Sequence, residues 1–233
     1  TISVPFGSGT DMALSGNISE DSGSPVALRV VSDASGRWLQ LSGTNTFSGG
    51  VVIDSRIGEK PRVIVASATA LGSGTLTLTG APPSGASQLD YGASSPYLSL
   101  SNPITLGFTT GASRFGVTVP AGKTLSLTGN ITESSANNGG IEEIGAGILA
   151  LAGANTYSGI TLINGGTLQF GTRSSLYNGN VGSWLQSKII VNNGSVLSLN
   201  VGGQNEFSAA DVSTLLANLG GLGGSVNNNG FMA

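Results

Sequence analysis

Apolar and polar residues alternate in short runs along most of the chain, and turns separate the runs. Leu-x-Leu pairs stand at Leu39/Leu41, Leu76/Leu78, Leu98/Leu100, Leu125/Leu127, Leu149/Leu151 and Leu197/Leu199, with Ser, Thr, Ala or Gln between the two leucines. A period of two places both leucines on one face of a strand and the hydroxyl-rich residue on the other. Leu168 and Phe170 repeat the pattern, as do Ile104 and Leu106, and Leu162 with Asn164. Gly153, Gly159, Gly165 and Gly166 separate three such runs within residues 145–170, where the backbone has to turn sharply. The expectation is a mostly-strand protein with a leucine stripe inside and a hydroxyl surface outside.

One segment departs from this period. In SAADVSTLLANLGG, from Ser208, residues Val212, Leu215, Leu216 and Leu219 follow helical spacing and share one helix face. Ser208 with Asp211 three positions later makes a capping box, and Gly220 stands where a C-terminal cap belongs. A short helix over 208–219 is predicted, packed on a flank or end of the strands, with a docking element for a neighbouring subunit as the alternative reading.

The strand pattern also repeats on a longer scale. LSGTNTFSGG and LAGANTYSGI share L-x-G-x-N-T-[FY]-S-G, which pairs Asn45 with Asn155 and Phe47 with Tyr157, about 110 residues apart. LSGNISE (14–20) and LTGNITE (127–133) match at a similar offset. The chain therefore reads as one array over 1–233, in two diverged superrepeats over about 10–120 and 121–233, the second including the helix at 208–219. Such units stack because one alone cannot bury its apolar side. Coils of roughly 20–25 residues would give about ten rungs, and at about 4.8 Å each a rod near 50 Å long. A β-sandwich shares the alternation but needs no repeat. Asn45 and Asn155 are expected to bond backbone groups at a corner, or to form ladders with asparagines of adjacent coils.

The two motif copies resemble the autotransporter-associated β-strand repeat, also called the passenger-associated-transport repeat, of bacterial secreted and surface proteins. The resemblance implies an all-β, right-handed parallel β-solenoid (β-helix) and an extracellular or cell-surface structural or adhesive segment. It supplies no catalytic residue, because the motif has none.

Composition narrows the functional classes. Charged residues are 9% of the 233 and the net charge is −3, with no basic patch to neutralise phosphates, so nucleic acid is not an expected partner. No apolar run reaches bilayer-spanning length. The chain lacks both Cys and His, which removes disulfides, thiolate metal sites and the commonest catalytic base. Thr1 opens no signal peptide, so the sequence reads as a mature or excised segment. No calcium-binding GGxGxD repeat occurs, and GGLGGS at 220–225 lacks the aspartate. No cofactor or metal is expected.

Adjacent Glu142 and Glu143 point to opposite sides of a strand and cannot act as one acid/base pair; they read as surface charges. Asp11, Glu20, Asp21, Asp33, Asp54 and Asp90 are scattered. The charged stretch DSRIGEKPR (54–62) reads as a solvated loop, with ligand binding as the sharper alternative. Phe47 and Tyr157 read as packing residues. Tyr177 and Trp184, flanking the non-repetitive RSSLYNGNVGSW, and Trp38 are the candidate ligand or partner contacts. The reading is a non-enzymatic extracellular solenoid that self-associates end to end through its open ends, as a filament or sheath subunit or a stalk segment. The alternatives are a carbohydrate-binding adhesin and, third, a glycan-cleaving β-helix enzyme.

Overall fold

A computed structural model of the chain describes residues 2–6, 11–21, 24–32, 37–55, 59–82, 87–110, 113–134, 139–220 and 231–232. Asp33, residues 56–58 of the charged stretch and positions 221–225 of GGLGGS lie outside the described residues. Every strand pairing is parallel, and the strands form three sheets that are the sides of a β-solenoid. The first sheet stacks Ile2–Phe6, Leu28–Ser32, Val51–Ser55, Leu76–Gly80, Ile104–Phe108 and Ile131–Glu133. The second stacks Met12–Leu14, Trp38–Leu41, Arg62–Val65, Ser87–Tyr91, Arg114–Thr118, Gly140–Glu143, Thr161–Ile163 and Ile189–Val191. The third stacks Tyr97–Leu100, Thr124–Leu127, Ile148–Leu151, Thr167–Phe170, Val196–Leu199 and Phe231–Met232.

The widest side thus has eight rungs among the described residues, not about ten. Its rungs recur every 21–28 residues, because a coil with three sides and three corners needs more chain than the shortest repeat suggests. Eight rungs at about 4.8 Å span roughly 34 Å between the first and last strand axes.

Register makes the leucine pairs into columns. On the third sheet Leu98, Leu125, Leu149, Leu168 and Leu197 stack, and beside them Leu100, Leu127, Leu151, Phe170 and Leu199. All are buried, at 7% exposure or less. The first sheet contributes Leu28, Val51, Leu76, Ile104 and Ile131 in the same way. Each side chain packs against its counterpart above and below, so one slip of register would turn a whole apolar column outward. The strand at Thr161–Ile163 turns its Leu162 outward beside Glu142, and its inward positions are Thr161 and Ile163. Leu162 and Asn164 thus share the outer face, while Ile163 supplies the core side chain.

The repeated motif has a defined structural meaning. It is a side of the coil with no strand in it. The first copy leaves Trp38–Leu41 of the second sheet and enters Val51–Ser55 of the first; the second leaves Ile148–Leu151 of the third and enters Thr161–Ile163 of the second. The two copies therefore occupy different sides of the solenoid. Their bonding is the same. Asn45 Oδ1 accepts from the Ile18 N–H (2.8 Å) and its Nδ2 donates to the Ala70 carbonyl (2.7 Å). Asn155 Oδ1 accepts from the Ile131 N–H (2.9 Å) and its Nδ2 donates to the Ser175 carbonyl (2.8 Å). Each asparagine ties its own coil to the coils before and after it. Around it Asn17 and Asn130 accept from the N–H of Thr44 and Ala154, and Ser48 and Ser158 donate to Glu20 and Glu133. An Asn ladder of the second expected kind occurs at another corner, where Asn192 donates to Asn164 (2.7 Å).

Glycines at this corner are required by stacking rather than by their own sequence. Leu14-Ser15-Gly16 and Leu41-Ser42-Gly43 are the same tripeptide. A Cβ on Gly43 would sit 2.3 Å from the Gly16 carbonyl oxygen, whereas one on Gly16 would meet nothing within 4 Å. Gly43→Ala is expected to cost roughly 2–3 kcal/mol, and Gly16→Ala to leave the thermal midpoint almost unchanged. Calorimetry of the two variants checks this; equal midpoints would contradict the stacking.

The helix forms as its sequence predicts. It spans Ala209–Asn218, with Ser208 at the N-cap in a reciprocal capping box with Asp211. Leu215 and Leu219 are buried in the core, and Gly220 carries the left-handed φ of +72° that suits a helix C-terminus. Among the described residues no helix is long and apolar enough to cross a membrane.

Candidate functional site

The solenoid changes near its C-terminal rungs. The first sheet stops at Ile131–Glu133, and its side is then taken by the strandless 152–160 and by three 3-10 turns, Arg173–Ser175, Tyr177–Gly179 and Val181–Ser183. The stretch RSSLYNGNVGSW lacks alternating apolar residues, so it cannot present a strand with one core face. It folds instead around two inward anchors. Trp184 is fully buried, with its indole N–H donating to the Leu176 carbonyl at 3.2 Å and its ring 5.7 Å from that of Phe207. Tyr177 is buried against Tyr157, ring centroids 4.9 Å apart. The Tyr177 hydroxyl donates to the Gly159 carbonyl (2.8 Å), with the Lys188 carbonyl at 3.1 Å as its alternative acceptor, and accepts from the Thr161 N–H. Burial pushes the phenols of Tyr157 and Tyr177 well above the ordinary range, so both stay neutral donors.

These positions bear on the three aromatic candidates. The rings of Tyr177 and Trp184 have no face open for stacking on a sugar. Trp38 is half-buried in the second rung of the second sheet, near the opposite end of that sheet from the other two. The structure does not bring the three together. Phe47 and Tyr157 are buried, as packing residues are.

What the anchors hold up is polar. A groove of about 350 Å³ lies between Thr172–Ser174, Asn178–Gly179 and Asn205–Glu206, with Ala152 at its edge. A second, of about 270 Å³, lies on the other side of Asn178 and is lined by Thr156, Ser158, Asn180 and Ser183 over the two tyrosines. Arg173 is held in the first groove on three sides. Its Nε donates to Asp211 (3.0 Å), its guanidinium lies 5.3 Å over the Trp184 ring, and a Cβ on Gly179 would come within 2.5 Å of its Nη1. Asp211 accepts hydrogen bonds from Ser208 and Arg173, which outweigh partial burial and lower its carboxyl pKa. The groove was not readable from the sequence, because its walls come from turns brought together across two coils. The one local signal was Asn178-Gly179, a turn dipeptide.

Several of the described carboxylates are paired with arginines. Asp54 pairs with Arg29, Asp90 with Arg62 and Glu142 with Arg114, along the outer faces of two sheets. Among the described residues no group of three or more His, Cys, Asp or Glu is arranged to hold a metal ion. Glu142 and Glu143 are not the surface charges that their sequence suggests: they are 2% and 0% exposed. Glu142 lies on the outer side, covered by Arg114 and Asn164. Glu143 points into the core, in the column between Val117 and Ile163. Desolvation pushes its carboxyl up to about 9, against the pull of backbone N–H bonds from Gly145 and Val119.

Comparison with known proteins agrees with the geometry. Residues 39–55 and 144–170 match the passenger-associated-transport-repeat family, and these are the two strand–corner–strand units just described. The chain is thus a parallel β-solenoid that carries passenger-associated-transport repeats. It is also similar to the adhesin BmaC autotransporter of Brucella suis biovar 1 (strain 1330), 34% identical over 96 residues. That alignment covers 37% of this chain and 3% of the much longer relative. No solved structure matches the chain.

Proposed function

We propose that the chain is a rigid segment of a bacterial cell-surface or extracellular passenger, working as a scaffold or stalk in an adhesin. The observation that carries this reading is the set of parallel ladders, continuous but for one register shift between Gly116 and Val117, fastened by passenger repeats. A rod of this kind holds its length because every rung is bonded along its backbone to the next. The likeness to the Brucella adhesin supports the surface setting. The finer part of the proposal is end-to-end association. Among the described residues Met12–Leu14 pairs with Trp38–Leu41 alone, and Met12 is 40% exposed. A rung that is terminal in the whole protein would offer unpaired backbone groups to another rung.

Two measurements separate the parts. Antibody labelling and protease accessibility on intact cells test the surface setting: protection until lysis contradicts it. Sedimentation and negative-stain microscopy over a hundredfold concentration range test the association. Particles that lengthen in steps of one rod are expected; a single-rod monomer throughout would overturn the end-to-end part and leave the stalk reading standing.

A further inference from the structure

We infer that the groove between Arg173, Asn178 and Asn205 is a binding site for an uncharged saccharide, which goes beyond the scaffold role proposed above. Three observations converge on it. The first is how asparagine is used. At the other corners Asn17, Asn45, Asn102, Asn130 and Asn155 spend their side chains on tying coils together. Asn178 and Asn205 are exposed, line the groove, and among the described residues make no side-chain hydrogen bond within the chain. Two carboxamides are thus left with donors and acceptors directed to solvent in one concave place.

The second is backbone conformation. Among the described residues the non-glycine positions with positive φ are Tyr177 (50°), Asn178 (51°) and Asn205 (64°). Two of them line this groove and the third adjoins it. A left-handed tyrosine is unfavourable and persists here because its buried hydroxyl is bonded on several sides. Strain held in this way clusters at binding sites. Tyr177 and Trp184, singled out in the sequence as contacts, act here as positioning residues. Tyr177 fixes the turn that presents Asn178, and Trp184 supports the Arg173 guanidinium.

The third is charge. One cation, Arg173, and one anion, Glu206, line the groove, and Arg173 is already paired with Asp211. An anionic ligand would meet Glu206 and a cationic one Arg173. An apolar ligand would strip water from the three polar walls without replacing its hydrogen bonds. Vicinal hydroxyls of a neutral sugar both donate and accept, and match carboxamides, a guanidinium and a carboxylate. The volume of about 350 Å³ falls in the small-ligand range of roughly 300–1,000 Å³.

The test is a glycan array of neutral, sialylated and sulfated oligosaccharides probed with the whole chain, followed by titration calorimetry with the best neutral binder. The variants are Asn178→Gly and Asn205→Gly, which remove the carboxamide yet keep the left-handed backbone, so their thermal midpoints should stay level or rise. Retention of neutral glycans, weakened about tenfold or more in each variant, is the expected result. Three outcomes overturn the site: retention of acidic glycans alone, no retention of any neutral glycan, or neutral binding that both variants leave intact. Trp38→Ala, far from the groove, should bind as the parent does.

Discussion

Replacing Glu143 by Gln is expected to stabilise the protein at pH 7 by on the order of 3 kcal/mol, and to leave it nearly unchanged near pH 4. Glu143 is fully buried between the aliphatic side chains of Val117 and Ile163. Its Oε1 accepts from the Gly145 N–H at 3.1 Å, the Val119 N–H adds a smaller pull on the carboxyl, and among the described residues its Oε2 has no hydrogen-bond partner. Removing a carboxylate from water costs far more than one hydrogen bond returns, so the folded protein keeps the proton until about pH 9, against a value of 4.5 for a free side chain. Between those values the unfolded chain has released a proton that the folded chain still holds. Folding stability therefore falls as pH rises through this window, by about 1.4 kcal/mol per unit from this group alone, and is fully retained below the lower value. Gln keeps the acceptor for Gly145 and never ionises. The difference between parent and variant, from urea melts at a series of pH values, should open from near zero at pH 4 and widen to pH 9. Parallel stability curves would show that Glu143 ionises in place or reaches water.

Asn155→Ala is expected to destabilise the protein by roughly 3–5 kcal/mol. The substitution leaves the Ile131 N–H and the Ser175 carbonyl, on the coils either side, without their partner. Each buried group left unsatisfied costs about 1–3 kcal/mol, and the cavity adds to it. Asn155→Asp should be nearly as damaging at neutral pH, since a carboxylate oxygen would then face the Ser175 carbonyl. Asn130→Ala is the matched control. Asn130 makes a single, exposed bond to the Ala154 N–H, and its loss should cost under about 1 kcal/mol. Equal effects at Asn155 and Asn130 would mean that the corner asparagine does not fasten three coils.

These two residues also mark how far the sequence could be read. Asn155 was legible because a repeat marked it: Asn45 occupies the same place, and an asparagine recurring in a turn has a backbone task. The leucine columns were legible because a period of two fixes the face, and the helix because its cap residues and spacing are local. Glu143 was not legible. Its inward direction depends on the register of Gly140–Glu143 against Arg114–Thr118, and nothing in IEEIG says which glutamate faces the core. Leu162 was ambiguous for the same reason. The groove needed long-range information too, since Arg173, Asn178 and Asn205 meet only after the first sheet has ended. Tyr177 and Trp184 stand in a stretch that is irregular in sequence and structure alike, and their large rings are its buried supports rather than its surface.

Backbone nuclear Overhauser contacts on isotopically labelled protein test the stacking of rungs most directly. In a parallel ladder, both members of a contacting pair advance together along the chain. Contacts should run Leu76–Ile104, Thr77–Thr105 and Leu78–Leu106 on the first sheet, and Leu149–Leu168, Ala150–Gln169 and Leu151–Phe170 on the third. In a hairpin one member advances as the other retreats; close Hα–Hα pairs of that kind between neighbouring strands would show a folded-back sandwich and contradict the solenoid.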